Sequence, residues 1–149
     1  MSSGINDILI NKLHEYIIEN NPDFLLELQE GDSVTEYLNE KISSVRDQIN
    51  YLTKIKSPEY VIEELCMRIL SKDLKPSKFN YIRSLLEEDF ETIYKQLKES
   101  GTLQFEVVNM IAYSKSVFEK FGFKEENEDD TQLRYEVTGA ISEYLASYK

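Results

Sequence analysis

The sequence predicts an all-α fold, a compact bundle of about six helices forming a single domain over residues 1–149. Three observations carry this expectation. Apolar residues recur at spacings of three and four along most of the chain, the period of a helix with one buried face. Five glycines and three prolines are too few for the many turns of a sandwich or barrel. No run of alternating apolar and polar residues competes with the helical pattern.

The first helix is expected over roughly residues 6–20, with Leu9, Leu13, Tyr16 and Ile17 on one face and Ile10 and Ile18 widening it. Asn21-Pro22-Asp23 stops it, because proline disfavours the α conformation at the residue before it. Phe24, Leu25, Leu26 and Leu28 then read as one or two turns ended by Gly31. The second helix opens on Ser33-Val34-Thr35-Glu36, the pattern of a capping box, and runs through the seam Leu38, Ile42, Val45, Ile49 and Leu52. The third starts at Ser57 with Pro58 in the first helical position and buries Val61, Ile62, Leu65, Cys66, Ile69 and Leu70.

Ser77 caps the fourth helix, whose stripe is Phe79, Ile82, Leu86, Phe90, Ile93 and Leu97 and whose stop is Gly101. The fifth spans about residues 103–120, with Val107, Ile111, Phe118 and Phe121 inward and Gly122 as its end. The sixth covers about residues 131–146 with Leu133, Val137, Ile141, Tyr144 and Leu145, capped by Asp129 or Asp130. Gly139 inside it costs about 1 kcal/mol relative to alanine, which points first to close backbone contact with a neighbouring helix and otherwise to a local distortion.

Composition narrows the function. The net charge is −11 and no Lys/Arg-rich run occurs, so direct binding to nucleic acid or to an anionic membrane is not expected. Ser71–Ser77 joins two helices by a short turn, but the following helix is too acidic for a recognition helix. The N-terminus has no basic n-region, and no apolar stretch approaches a membrane span, so a cytoplasmic protein is expected. The lone Cys66 allows no internal disulfide and reads as a small core hydrophobe. His14, the lone histidine, lacks a partner at i+4 for a zinc motif and reads as a surface or boundary residue.

Glycine-rich phosphate loops, nucleophile elbows and CxxC pairs are all missing, so no catalytic residue and no cofactor are assigned. Two acidic clusters hold carboxylates three residues apart, Glu88 with Glu91 and Glu126 with Asp129. Paired carboxylates on facing helices can hold magnesium for pyrophosphate hydrolysis, so these four are the alternative metal ligands, although the second pair falls in a loop without a phosphate-binding companion. The bland account makes the first cluster a solvated face and the second a helix cap. Ten tyrosines are the other unusual count; in a chain without tryptophan they read first as filling the core boundary, and Tyr135, Tyr144 and Tyr148 on the last helix are the candidate interaction surface, with Tyr81, Tyr94 and Tyr113 as further amphipathic edges.

Leu74-Lys75-Pro76-Ser77-Lys78-Phe79-Asn80-Tyr81-Ile82, continuing to Asp89-Phe90, resembles the central signature of domain of unknown function 1896. Val117–Phe121 and Glu136–Ile141 resemble its two later signatures in the same order, and Asn21-Pro22 and Leu70 also match, over about residues 13–145. Asp73 and Pro76 stand where glycine and an aromatic residue are expected. The resemblance implies a small all-helical protein of Bacteroides-like bacteria, often encoded near conjugative or other mobile elements. It transfers no catalytic residue.

The leading expectation is therefore a non-enzymatic helical module that binds a protein partner, in an accessory or regulatory role. Homo-oligomerisation stays open. A metal-dependent hydrolase and an acidic mimic of nucleic acid are the alternatives.

Overall fold

The computed structural model describes residues 2–147, with side chains from Gly4 onward. The described residues are all-helical, but they form ten α-helices and not about six, joined by short turns and two 3-10 turns. They are α1 (Ser2–Asn20), α2 (Pro22–Glu30), α3 (Val34–Ser44), α4 (Arg46–Lys54), α5 (Glu59–Leu70), α6 (Lys78–Asp89), α7 (Glu91–Ser100), α8 (Leu103–Tyr113), α9 (Lys115–Phe121) and α10 (Thr131–Ser147).

Three of the four extra helices come from breaks inside expected continuous helices; the fourth is α2, expected only as one or two turns. Val45 (φ −107°, ψ 11°), Phe90 (φ −133°, ψ 49°) and Ser114 (φ −94°, ψ 9°) each leave the helical region for one residue. None is a glycine, and none adjoins a proline. The apolar seam nevertheless passes through each break: Leu38, Ile42, Val45 and Ile49 are all buried although α3 ends between them.

Several local expectations hold. The Ser77 Oγ accepts the Asn80 amide at 3.0 Å, and Gly101 and Gly122 end α7 and α9 in the left-handed region. Asp130 Oδ1 caps α10, accepting the amides of Gln132 at 2.7 Å and Leu133 at 3.2 Å. Others are corrected. The Ser33–Glu36 capping box is not made: Ser33 forms no side-chain cap bond, and its Oγ donates instead to the Leu28 carbonyl at 3.3 Å. Pro58 precedes α5 as its cap residue with ψ 146°, one position earlier than expected. Ile69, expected inside, is 44% exposed. Gly139 does not mark a close approach: a β-carbon added there would meet no atom of a neighbouring element within 4 Å.

The chain divides into two compact units, residues 1–74 and 75–149. Each has its own core. In the first, Leu9, Leu13 and Ile17 of α1 meet Leu38, Ile42, Ile49, Ile62, Cys66 and Leu70. In the second, Ile82, Leu85 and Leu86 meet Val107, Met110, Phe118, Leu133, Val137 and Ile141. Whether residues 1–149 act as the single expected domain thus turns on whether the two cores unfold together.

The second unit repeats the first. The break at Asn21 (φ −137°, ψ 53°) returns 69 residues later at Phe90 (φ −133°, ψ 49°), and Val45 returns at Ser114 at the same spacing. Left-handed Asp32 (φ 54°) corresponds to Gly101 (φ 76°). Buried pairs follow the same register: Leu13 with Ile82, Ile17 with Leu86, Leu38 with Val107, Ile42 with Ile111 and Ile49 with Phe118. In the last helices Ile62, Cys66 and Leu70 correspond to Leu133, Val137 and Ile141. The register shifts because α9 is shorter than α4 and the loop before α10 is longer, and that insertion carries the acidic run 125–130. Within each unit the first four helices pack in the same pairs. The fifth differs, since α5 packs on α1 and α4 whereas α10 packs on α8 and α9.

Candidate functional site

That difference opens a groove in the second unit. The break at Phe90 turns α7 away from α6, and left-handed Gly101 lets α8 return along it. With the last turns of α10 as a third wall, these elements enclose a half-open groove of about 680 Å³ lined by Phe90, Ile93, Leu97, Phe105, Leu145 and Ala146, with Gln96, Thr102, Glu106 and Ser142 as its polar members. A mostly apolar concavity with a few converging polar groups is the usual form of a binding site.

Glu106 is the unusual member. It is 4% exposed, where carboxylates are seldom found without compensation. The Tyr144 hydroxyl of α10 donates to its Oε2 at 2.9 Å. The Tyr144 ring is held edge-on against Tyr113 of α8, with centroids 5.6 Å apart and planes at 80°, and the Tyr113 hydroxyl reaches Glu143 at 3.5 Å. Phe105, the residue before Glu106, is 64% exposed at the rim.

In the first unit the corresponding positions hold an aromatic pair. Tyr37 and Phe24 occupy the positions of Glu106 and Ile93, 69 residues earlier. Their rings pack edge-on at 5.1 Å and 79°. Replacing this aromatic pair by isoleucine and glutamate removes ring volume and leaves a carboxylate.

A family model for a domain of unknown function, DUF1896, matches residues 11–149. The chain belongs to DUF1896. No curated protein and no solved structure is detectably similar to it. The three segments that carry the DUF1896 resemblance touch one another in the second unit. Lys78 Nζ lies 5.6 Å from the Phe118 ring centroid, and Lys120 Nζ pairs with both oxygens of Glu136 at 3.0 Å. With Ser77 as a cap and Phe79 and Ile82 in the core, these residues have structural work.

The remaining sequence candidates are dispersed over this DUF1896 chain. Glu88 shares Arg134 with Asp89, at 3.0 and 2.9 Å. Glu91 lies beyond the Phe90 break and pairs along α7 with Lys95 at 3.0 Å. Glu126 sits in a 3-10 turn and Asp129 is exposed in the loop before α10. Among the described residues, no group of three or more His, Cys, Asp or Glu side chains could hold a metal ion.

Of the three candidate tyrosines, Tyr135 is 75% exposed, Tyr144 lies beside the groove bonded to Glu106, and Tyr148 is outside the described residues. Nine residues separate Tyr135 from Tyr144, which places them roughly 180° apart around α10, so the two do not share a face. Cys66 is fully buried, and burial pushes its thiol above its ordinary pKa, away from reactive thiolate. His14 is half-buried on α1, as expected of a boundary residue. Among the described residues, no helix is long and apolar enough to cross a membrane.

Glu106 was not singled out from the sequence, although a signal existed. It is the only charged residue in the eleven of α8, next to the buried stripe.

Proposed function

We propose that the chain is a non-enzymatic protein-interaction module whose recognition surface is the groove between α7, α8 and α10. The observation that supports this is the groove itself: about 680 Å³ of mostly apolar concavity, rimmed by an exposed phenylalanine, where the first unit has the Phe24–Tyr37 ring pair. Apolar grooves between helices suit the apolar face of a partner helix. An accessory role linked to mobile DNA would then be exerted through the partner.

Photo-crosslinking tests the reading. A benzophenone amino acid is placed at Phe105 and, as a control, at exposed Tyr60 in the first unit. The proposal expects a discrete protein adduct in host cells from position 105 that is absent from position 60. No adduct at 105, or the same adducts from both, contradicts it.

A further inference from the structure

We infer that the chain associates with a second copy of itself, the basic, aromatic corner between α4 and α5 of one copy seating against the acidic corner between α9 and α10 of the next. The groove takes no part, so the inference goes beyond the interaction reading above and is tested apart from it. The two corners are the same place in the repeat, the turn between the fourth and fifth helices of each unit, and in both units those helices pack on each other. Their side chains are opposite in charge. In the first unit Tyr51, Ile55 and Tyr60 are each more than half exposed, and exposed Lys54 and Lys56 lie among them in sequence. Tyr51 and Ile55 stand four residues apart and so share a face. In the second unit the turn holds Glu125, Glu126, Glu128 and Asp129, all exposed. Among the described residues, neither the two lysines nor these four acids are in an ion pair. Asp130 is taken up as the cap of α10, and Tyr135, about one turn further on, is the exposed ring on that side.

The backbone at Lys56 is a second, independent observation. α4 and α9 end alike: the Ser57 amide donates to the Leu52 carbonyl at 3.0 Å, and the Phe123 amide donates to the Phe118 carbonyl at 3.2 Å. The residue before each donor is left-handed, Gly122 in the second unit and Lys56 in the first, both with φ 60°. Glycine takes that conformation freely and a residue with a β-carbon does not. The first unit thus carries a lysine where the turn itself favours glycine, and strain of this kind gathers at functional sites. Each corner carries the charge that complements the other, which makes a second copy the occupant. Both copies are net negative, but exposed charges more than about 8 Å apart are largely screened at physiological salt, so the charges that touch decide. Exposed ion pairs contribute little each; covering Tyr51, Ile55 and Tyr60 supplies the attraction and the lysines fix the register. The contact joins two different patches, so association continues past the dimer unless the rotation closes a ring.

Sedimentation velocity of the full-length protein at 0.15 M salt, over about 5–500 µM to cover a weak contact, is the test. Lys54→Glu with Lys56→Glu reverses one corner, and Glu126→Lys with Glu128→Lys reverses the other. Circular dichroism verifies that each variant is folded. The inference expects the wild type to sediment faster as concentration rises. Each reversed variant alone should associate at least tenfold more weakly, and an equal mixture of the two should regain association, because a reversed corner of one then faces a reversed corner of the other. Lys56→Gly keeps the turn that Gly122 makes in the second unit and removes the charge; it should weaken association at least threefold. A wild type that stays monomeric throughout would overturn the inference, as would reversed variants that associate like the wild type. Loss in both variants without recovery in the mixture would also overturn it, since the two corners would then not be each other's partners. Association of Lys56→Gly equal to wild type would remove Lys56 from the contact and overturn its part in the inference.

Discussion

The Tyr144 hydroxyl of α10 donates to the buried Glu106 carboxylate of α8 at 2.9 Å, tying together two walls of the groove. A hydrogen bond to a charged acceptor contributes more than a neutral one, and its loss leaves part of a buried charge uncompensated. Tyr144→Phe removes the hydroxyl and keeps the ring against Tyr113. It is expected to lower stability by about 1.5–3 kcal/mol in urea denaturation. A loss under about 0.5 kcal/mol would show that the bond does not hold Glu106 in place.

Gly139 makes the opposite prediction. It is exposed within α10, and no atom of another element lies within 4 Å of an added β-carbon. Alanine restricts the unfolded chain and favours helix, so Gly139→Ala should raise stability by about 0.5–1 kcal/mol. A destabilised Gly139→Ala protein would mean that a neighbour does approach the backbone there.

The two cores can be weakened separately. Ile17 and Ile141 are fully buried, one in each unit. Ile17→Ala and Ile141→Ala should each cost about 2–5 kcal/mol through lost burial and cavity formation. Followed by circular dichroism, the pair also reports on domain structure. If residues 1–149 form one domain, both variants move a single shared transition; independent units would leave one transition unmoved.

Acid should release one ion pair in the first unit. The Lys41 ammonium bonded to Asp73 at 2.8 Å holds the carboxyl below its ordinary pKa, and the same bond raises Lys41. A depressed carboxyl contributes stability above its unfolded-state value and loses it as pH falls further; a raised lysine contributes below its unfolded-state value and loses it as pH rises through the folded one. The stability difference between wild type and Lys41→Met should therefore be present between about pH 4 and pH 10 and shrink outside that window. Because Asp73 is exposed, the difference is small. A difference independent of pH would assign the effect to packing of the lysine stem.

The parts of this fold legible in the sequence are those with strong local chemistry. Ser77, Gly101, Gly122 and Asp130 terminate helices by means their side chains, or lack of one, dictate. Leu38, Ile42 and Ile49 announce their burial by spacing alone. The breaks at Val45, Phe90 and Ser114 were not legible, because each keeps the apolar register and carries no glycine or proline; tertiary packing bends the chain there. The repeat stayed hidden for a related reason. Its paired positions preserve burial and not identity, as Cys66 with Val137 or Ile49 with Phe118 shows. The groove depends on both, since it needs the Phe90 break and the exchange of Phe24 and Tyr37 for Ile93 and Glu106. Tyr144 was picked out as a surface residue, but its role follows from Glu106, 38 positions away.

The measurement that bears most directly on the central claim is amide hydrogen exchange on the full chain, free and bound to the partner crosslinked from Phe105. The account predicts new protection in α7, the first turns of α8 and the last turns of α10, with none around the exposed Tyr51, Ile55 and Tyr60 of the first unit. Protection centred on Tyr51–Tyr60, with residues 90–106 unchanged, would place recognition elsewhere and contradict it.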